Sequence, residues 1–187
     1  MNEKNDKGQI TLKPYLIALP FIAMAVFVDQ LSKWLAVEYL KGSGSFSIIE
    51  GVFSLRYLEN RGAAFGIFYG QQVFLILIAV ILASVILYLY GRIPSGRRYN
   101  FLRVVHILII SGAIGNLIDR IRFGFVIDFF FFELINFPIF NVADSYIVIA
   151  CILLLLLVLF YYKDNELEYL EKREKVMIIE QVDINEE

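Results

Sequence analysis

A chain of 187 residues with 59% hydrophobic and 19% charged side chains cannot coat a water-soluble globule, and it is too apolar to stay disordered. Its net charge of −2 is unevenly spread: nine acidic and four basic residues from Lys163 onward give that tail −5, which leaves +3 on the remainder. No dense basic face is present, so no nucleic-acid partner is expected.

Charge is absent from Gly62 to Gly91, from Val104 to Ile118 and from Ser145 to Tyr162. A bilayer-crossing helix needs about 20 apolar residues, so these runs with their flanks predict membrane spans. The first span, about Tyr15 to Ala36, follows Lys4, Lys7 and Lys13. Ala23-Met24-Ala25 resembles a small-residue cleavage site, but cutting there would fall inside the apolar run, so an uncleaved anchor is expected. Near its end, Asp29 and Lys33 are four apart, share a helix face and can pair.

Beyond the turn Lys41-Gly42-Ser43-Gly44-Ser45, the stretch Phe46 to Leu58 mixes β-branched and aromatic residues around Gly51 and predicts a short hairpin or small sheet. The polar group Glu59-Asn60-Arg61-Gly62-Ala63-Ala64-Phe65-Gly66 comes next. Its small residues allow close backbone approach, and Asn60 offers both a donor and an acceptor. The second span is about Gln72 to Tyr90 and the third about Tyr99 to Ile118, with Arg103 placed to snorkel. At the end of the third lies Ser111-Gly112-Ala113-Ile114-Gly115-Asn116-Leu117-Ile118-Asp119-Arg120, small residues followed by polar ones. Lone His106 reads as a hydrogen-bonded core residue and lone Cys151 as an apolar filler.

In Gly124-Phe125-Val126-Ile127-Asp128-Phe129-Phe130-Phe131-Phe132 one carboxyl sits beside four phenylalanines, surroundings that disfavour its charged form. Phe140-Asn141-Val142-Ala143-Asp144-Ser145 opens the fourth span, about Asn141 to Tyr162. Asn141 or Asp144 alone would be ordinary helix caps.

Lys and Arg flanks set orientation. The N-terminus, the Gly91 to Arg103 link (Arg92, Arg97, Arg98, Arg103) and the C-terminal flank are basic, so these three are expected on the cytoplasmic side. The connections Val37 to Gln71 and Asp119 to Phe140 then lie outside, with every acid from Asp29 to Asp144 in or beside them. The fold expected is an all-α membrane protein of four transmembrane helices, with a small extracytoplasmic β-rich element between helices 1 and 2. It is read as one membrane domain, 1–162, and a charged cytoplasmic tail, 163–187.

Ionisable groups at membrane depth are costly and mark candidate sites. With no Cys/His cluster and no Ser/His/Asp arrangement, the catalytic device these parts can build is a carboxylate pair sharing one proton, Asp128 and Asp144. One would take a proton from water and the other would polarise a peptide carbonyl. A small proton-coupled transporter, with Asp29, Asp119, Asp128 and Asp144 as a relay, is the alternative. Against it, the acids crowd one face and no internal repeat is visible.

The motif Val28-Asp29-Gln30-Leu31-Ser32-Lys33, the groups at 59–66, 112–120 and 124–129, and Phe140 to Ser145 occur in the order found in the bacterial lipoprotein signal peptidases (signal peptidase II). The sequence resembles that family from about residue 14 to 162. The resemblance implies an aspartic endopeptidase of the cytoplasmic membrane with its active site at the outer face. It would remove the signal peptide from prolipoproteins, cutting before the diacylglyceryl-cysteine, with membrane lipids as surroundings and no cofactor or metal. It implies Asp128 and Asp144 as the catalytic pair. Asp29, Lys33, Asn60, Gly62, Asn116, Asp119, Arg120, Asn141 and Ala143 would bind substrate or shape the site. Ser111 stands where many relatives have glycine, a small-for-small change.

Overall fold

The computed structural model describes residues 12–63 and 67–163. Four helices are long and apolar enough to cross a membrane. Helix α1 (Lys13–Leu40) is followed by strands β1 (Ser45–Ile49) and β2 (Phe53–Asn60), then α2 (Gln72–Arg92) and α3 (Asn100–Phe123). Strand β3 (Val126–Phe132) and α4 (Val142–Leu156) complete the order, and one π turn, Leu157–Tyr161, extends the last helix.

Large apolar side chains face outward along the helices, among them Phe21 and Met24 on α1, Leu77 and Ile81 on α2, and Ile152 and Leu155 on α4. That arrangement suits hydrocarbon as the solvent, where burying such residues brings little gain and helices associate through close packing. Helix α3 is central and packs against α1, α2 and α4. Small residues bring the backbones together: a Cβ on Gly112 would stand 2.5 Å from the carbonyl oxygen of Ala143. At the end of the bundle away from the sheet, Ala18, Tyr90 and Ile93 form one cluster, and Val105, Ala150, Leu157 and Tyr162 form another.

The expected hairpin is present as β1 and β2, paired antiparallel with Phe46 opposite Leu55. The turn before it holds Gly42 and Gly44 at φ 83° and 82°, left-handed conformations that favour glycine. The sheet is larger than the sequence predicts. Strand β3, from the connection between α3 and α4, pairs antiparallel with β2, so the order is β1-β2-β3. Its pairing register shifts between Leu55 and Leu58, a bulge that sets Leu58 opposite Asp128 and Asn60 opposite Val126.

Helix α3 also runs farther than expected, to Phe123, and ends on Gly124 in the left-handed conformation. Asp119 and Arg120, read from sequence as the start of a loop, are therefore helical. The sheet packs on the end of α1 through Ala36, Leu40, Ile127 and Phe129. Both helix connections that carry the sheet lie at one end of the bundle, where α1 and α3 finish and α2 and α4 begin. The tail after Lys163 lies outside the described residues, as do Ala64, Phe65 and Gly66.

Candidate active site

The site starts from two carboxyl groups delivered by different elements. Asp128 is on β3 and is 1% exposed. Asp144 is the third residue of α4, beside its N-cap Asn141. These residues form a capping box: the Asn141 side-chain oxygen accepts from the Asp144 N–H at 3.0 Å, and Asp144 Oδ2 accepts from the Asn141 N–H at 3.1 Å. The ordinary capping role is therefore real. It is also only half of what Asn141 does, because its Nδ2 donates across to Asp128 Oδ1 at 2.7 Å. One asparagine thus ties both aspartates together.

The other carboxylate oxygens are likewise held by amides. Asn60 Nδ2, from the end of β2, donates to Asp128 Oδ2 at 2.9 Å. Asn116 Nδ2, from α3, donates to Asp144 Oδ1 at 2.7 Å. Each oxygen of the pair therefore receives a neutral amide donor, and each retains acceptor capacity for a water or a substrate. Burial pushes the Asp128 carboxyl up to about 7, with the nearby Asp144 charge adding to it; the hydrogen bonds from Asn60 and Asn141 oppose the rise and only partly cancel it.

Beneath this layer lies a dry charged group. Lys33 Nζ is 2.9 Å from Asp29 Oδ2, 3.0 Å from Asp119 Oδ2 and 2.9 Å from Asn116 Oδ1. Asp29 and Asp119 are 0% and 1% exposed. Asp29 Oδ1 accepts the N–H of Ala143 at 2.9 Å, and Asp119 Oδ2 accepts the N–H of Ile127 at 3.1 Å. Arg120 Nη2 donates to the Gly62 carbonyl at 3.1 Å, and the Gly62 N–H donates to Asn60 Oδ1 at 2.9 Å. The donor and acceptor of Asn60 are thus engaged within the protein. Arg120 Nε is buried with no partner among the described residues. Also among the described residues, no group of His, Cys, Asp and Glu is arranged to hold a metal ion.

This chemistry can be set beside known proteins. The sequence profile described as Signal peptidase (SPase) II matches residues 21–160. The chain belongs to the signal peptidase II family. It is 44% identical over 138 residues to the lipoprotein signal peptidase of Caldanaerobacter subterraneus subsp. tengcongensis, covering 73% of this chain and 92% of that one. It is 41% identical over 146 residues to the lipoprotein signal peptidase of Clostridioides difficile, covering 78% and 97%. Among solved structures, a bacterial membrane enzyme obtained by the in meso method superposes with a TM-score of 0.70 at 31% identity, over 79% of this chain and 92% of that chain. Family membership makes the chain a bacterial signal peptidase, and the four apolar helices make it a multi-pass membrane protein.

All eleven side chains and backbone positions singled out from sequence fall at the sheet end of the bundle, joined directly or through one another by these hydrogen bonds. Ala143 takes part through its backbone N–H and its 0% exposed methyl, which touches the surface of α3. Gln30 was overlooked. Its Nε2 reaches Asp119 Oδ1 at 3.0 Å, and Asp29 Oδ2 and the Gly115 carbonyl each at 3.2 Å. An uncharged residue between Asp29 and Lys33 carries no periodic signal of its own, although its place one residue after a membrane-depth acid was legible.

Proposed function

We propose that this signal peptidase cleaves diacylglyceryl-modified prolipoproteins before the lipidated cysteine, with Asp128 and Asp144 as an aspartic dyad. The observation that carries this reading is the Asn141 bridge, with Nδ2 on Asp128 Oδ1 and the capping box on Asp144. It brings together two carboxyl groups from separate elements, one of them buried and titrating near 7. The names of the relatives supply the substrate class.

In this mechanism the pair holds one proton. The ionised carboxylate takes a proton from water as the water oxygen attacks the scissile carbonyl carbon. The protonated partner donates to the carbonyl oxygen. As the tetrahedral centre collapses, the C–N bond breaks, the leaving amine takes a proton from one carboxyl, and a hydroxyl of the diol returns its proton to the other, so the dyad again holds one. Asn60, Asn116 and Asn141 keep the carboxyl groups oriented, and Arg120 holds the Gly62 carbonyl beside them. The basic link at Arg92 to Arg103 supports cytoplasmic termini and a site at the outer face. The same acids as a transporter relay receive no support from family membership.

The test is incubation of the purified protein with a diacylglyceryl-modified prolipoprotein, with the freed signal peptide detected by mass. Asp128→Asn and Asp144→Asn should each abolish release in folded protein. Near-normal cleavage by either variant removes that residue from the mechanism.

A further inference from the structure

We infer that Lys33 is the positioning residue of the dyad, a buried hub whose three protons set the relative placement of Asp128 and Asp144 through Asp29, Asp119 and Asn116. This rests on the dyad reading and adds the device that keeps its spacing.

An ammonium has three N–H groups and no acceptor. Lys33 has three partners within 3.0 Å: Asp29 Oδ2, Asp119 Oδ2 and Asn116 Oδ1. None of its protons is left for a substrate, and at 1% exposure none reaches water. Each partner then acts on one of the aspartates. Asp29 holds the N–H of Ala143, the residue before Asp144. Asp119 holds the N–H of Ile127, the residue before Asp128. Asn116 donates directly to Asp144 Oδ1. The two backbone anchors are thus alike: a carboxylate from one helix grips the N–H preceding each aspartate, and Lys33 joins the two carboxylates. Asp128 and Asp144 are separated by the segment 129–143, so chain connectivity alone does not fix their distance.

Gly115 makes the arrangement possible. A Cβ there would stand 2.5 Å from Asp29 Oδ2 and 3.2 Å from the Ala143 Cβ, so any larger residue pushes the Asp29 carboxylate off its anchor. Arginine is no equivalent for Lys33, because a planar fork cannot address three acceptors in three directions as a point charge can.

Lys33→Met would leave Asp29 and Asp119 buried without a counter-charge and is expected to unfold the protein. The informative variants are Lys33→Arg, which keeps the charge, and Gly115→Ala, which removes no charged group and acts by pushing on the Asp29 carboxylate. Both are assayed as full-length protein in lipid nanodiscs with a diacylglyceryl prolipoprotein, and rates are expressed per folded molecule from the thermal-unfolding amplitude. Misplacement near the angstrom scale can lower a rate by about 10²-fold, so kcat should fall roughly tenfold or more. KM should stay within about twofold, because the residues move the reacting groups and leave bound substrate in place. Should Lys33→Arg fail to fold, Gly115→Ala decides alone. Unchanged kcat per folded molecule, with loss only in the folded fraction, would show Lys33 to be a stability element and overturn the inference. Asp128→Asn and Asp144→Asn are run alongside: inactive aspartate variants beside a fully active Lys33→Arg sink the positioning role alone, whereas active aspartate variants sink the dyad itself.

Discussion

Asp128 concentrates the site's chemistry in one carboxyl. It is buried on β3 between the Asn60 and Asn141 amides, beside a second acid, and is pushed up from 3.8 to about 7. Two pH effects follow. In the proposed mechanism the dyad needs one proton, and raising the pH through about 7 removes it, so cleavage should decline on the alkaline side with a midpoint near that value. A pH profile of kcat/KM checks this, and a rate that climbs steadily through pH 7 to 9 would contradict it. Stability follows the same proton. Because the folded pKa lies above the unfolded one, the contribution is fully present below about 4 and is lost as pH rises through about 7. Thermal unfolding in detergent should therefore occur at a lower temperature at about pH 8 than at about pH 5, and Asp128→Asn should flatten the difference. Asp119→Asn serves as a contrast. Its amide oxygen can still accept the Ile127 N–H but no longer balances Lys33. It should lower the yield of folded protein, with a smaller loss of cleavage per folded molecule than Asp128→Asn gives.

At the level of elements, α3 is the spine, and its glycines decide how closely its neighbours approach. A Cβ at Gly112 would meet the Ala143 carbonyl oxygen at 2.5 Å and the Ile147 Cγ1 at 2.7 Å. Overpacking of this kind typically costs about 1–3 kcal/mol, so Gly112→Ala should unfold at lower denaturant and move the start of α4 away from Asn116. A denaturation series in detergent measures the first effect, and loss of cleavage reports the second. The same elements show what the sequence could and could not say. The hairpin was legible because β-branched and aromatic residues gather on both sides of Gly51. Strand β3 was not, because Ile127, Asp128 and Phe129 are all buried and show no alternation between two faces. Its strand partner, β2, lies at 53–60, far back in the chain. The end of α3 was misjudged for a related reason. Charge at Asp119 and Arg120 reads as the rim of a membrane, whereas Asp119 is buried against Lys33 and Arg120 reaches the Gly62 carbonyl. The aspartates were legible one at a time; the Asn141 bridge between them was not, since a capping asparagine looks the same in sequence whether or not its amide reaches a second acid.

For the whole molecule, the sheet and the site share one end of the bundle, and the basic link between α2 and α3 marks the other. A reporter fused after Tyr162 should be active only in the cytoplasm, and one inserted at Ser43 only outside; the opposite pattern would invert substrate access. The placement also bears on specificity. In the proposed reaction a diacylglyceryl group resting among the lipid-facing helices would fix the depth of the scissile bond, and that depth would have to match Asp128 and Asp144. An unlipidated precursor of identical sequence, compared at equal membrane density, should be cleaved far more slowly because orientation carries much of the acceleration. Equal rates would assign specificity to the peptide alone.

The pairing of Lys33 with two acids from different helices also bears on how the protein is made. Asp29 and Lys33 lie one turn apart on α1, so that helix carries its own counter-ion from the moment it is synthesised and can enter the bilayer without net charge at that depth. Asp119 comes from α3, and its carboxylate meets the same ammonium where the two helices pack. The buried ion triad therefore joins the first helix to the third, and it can form only once both are in place.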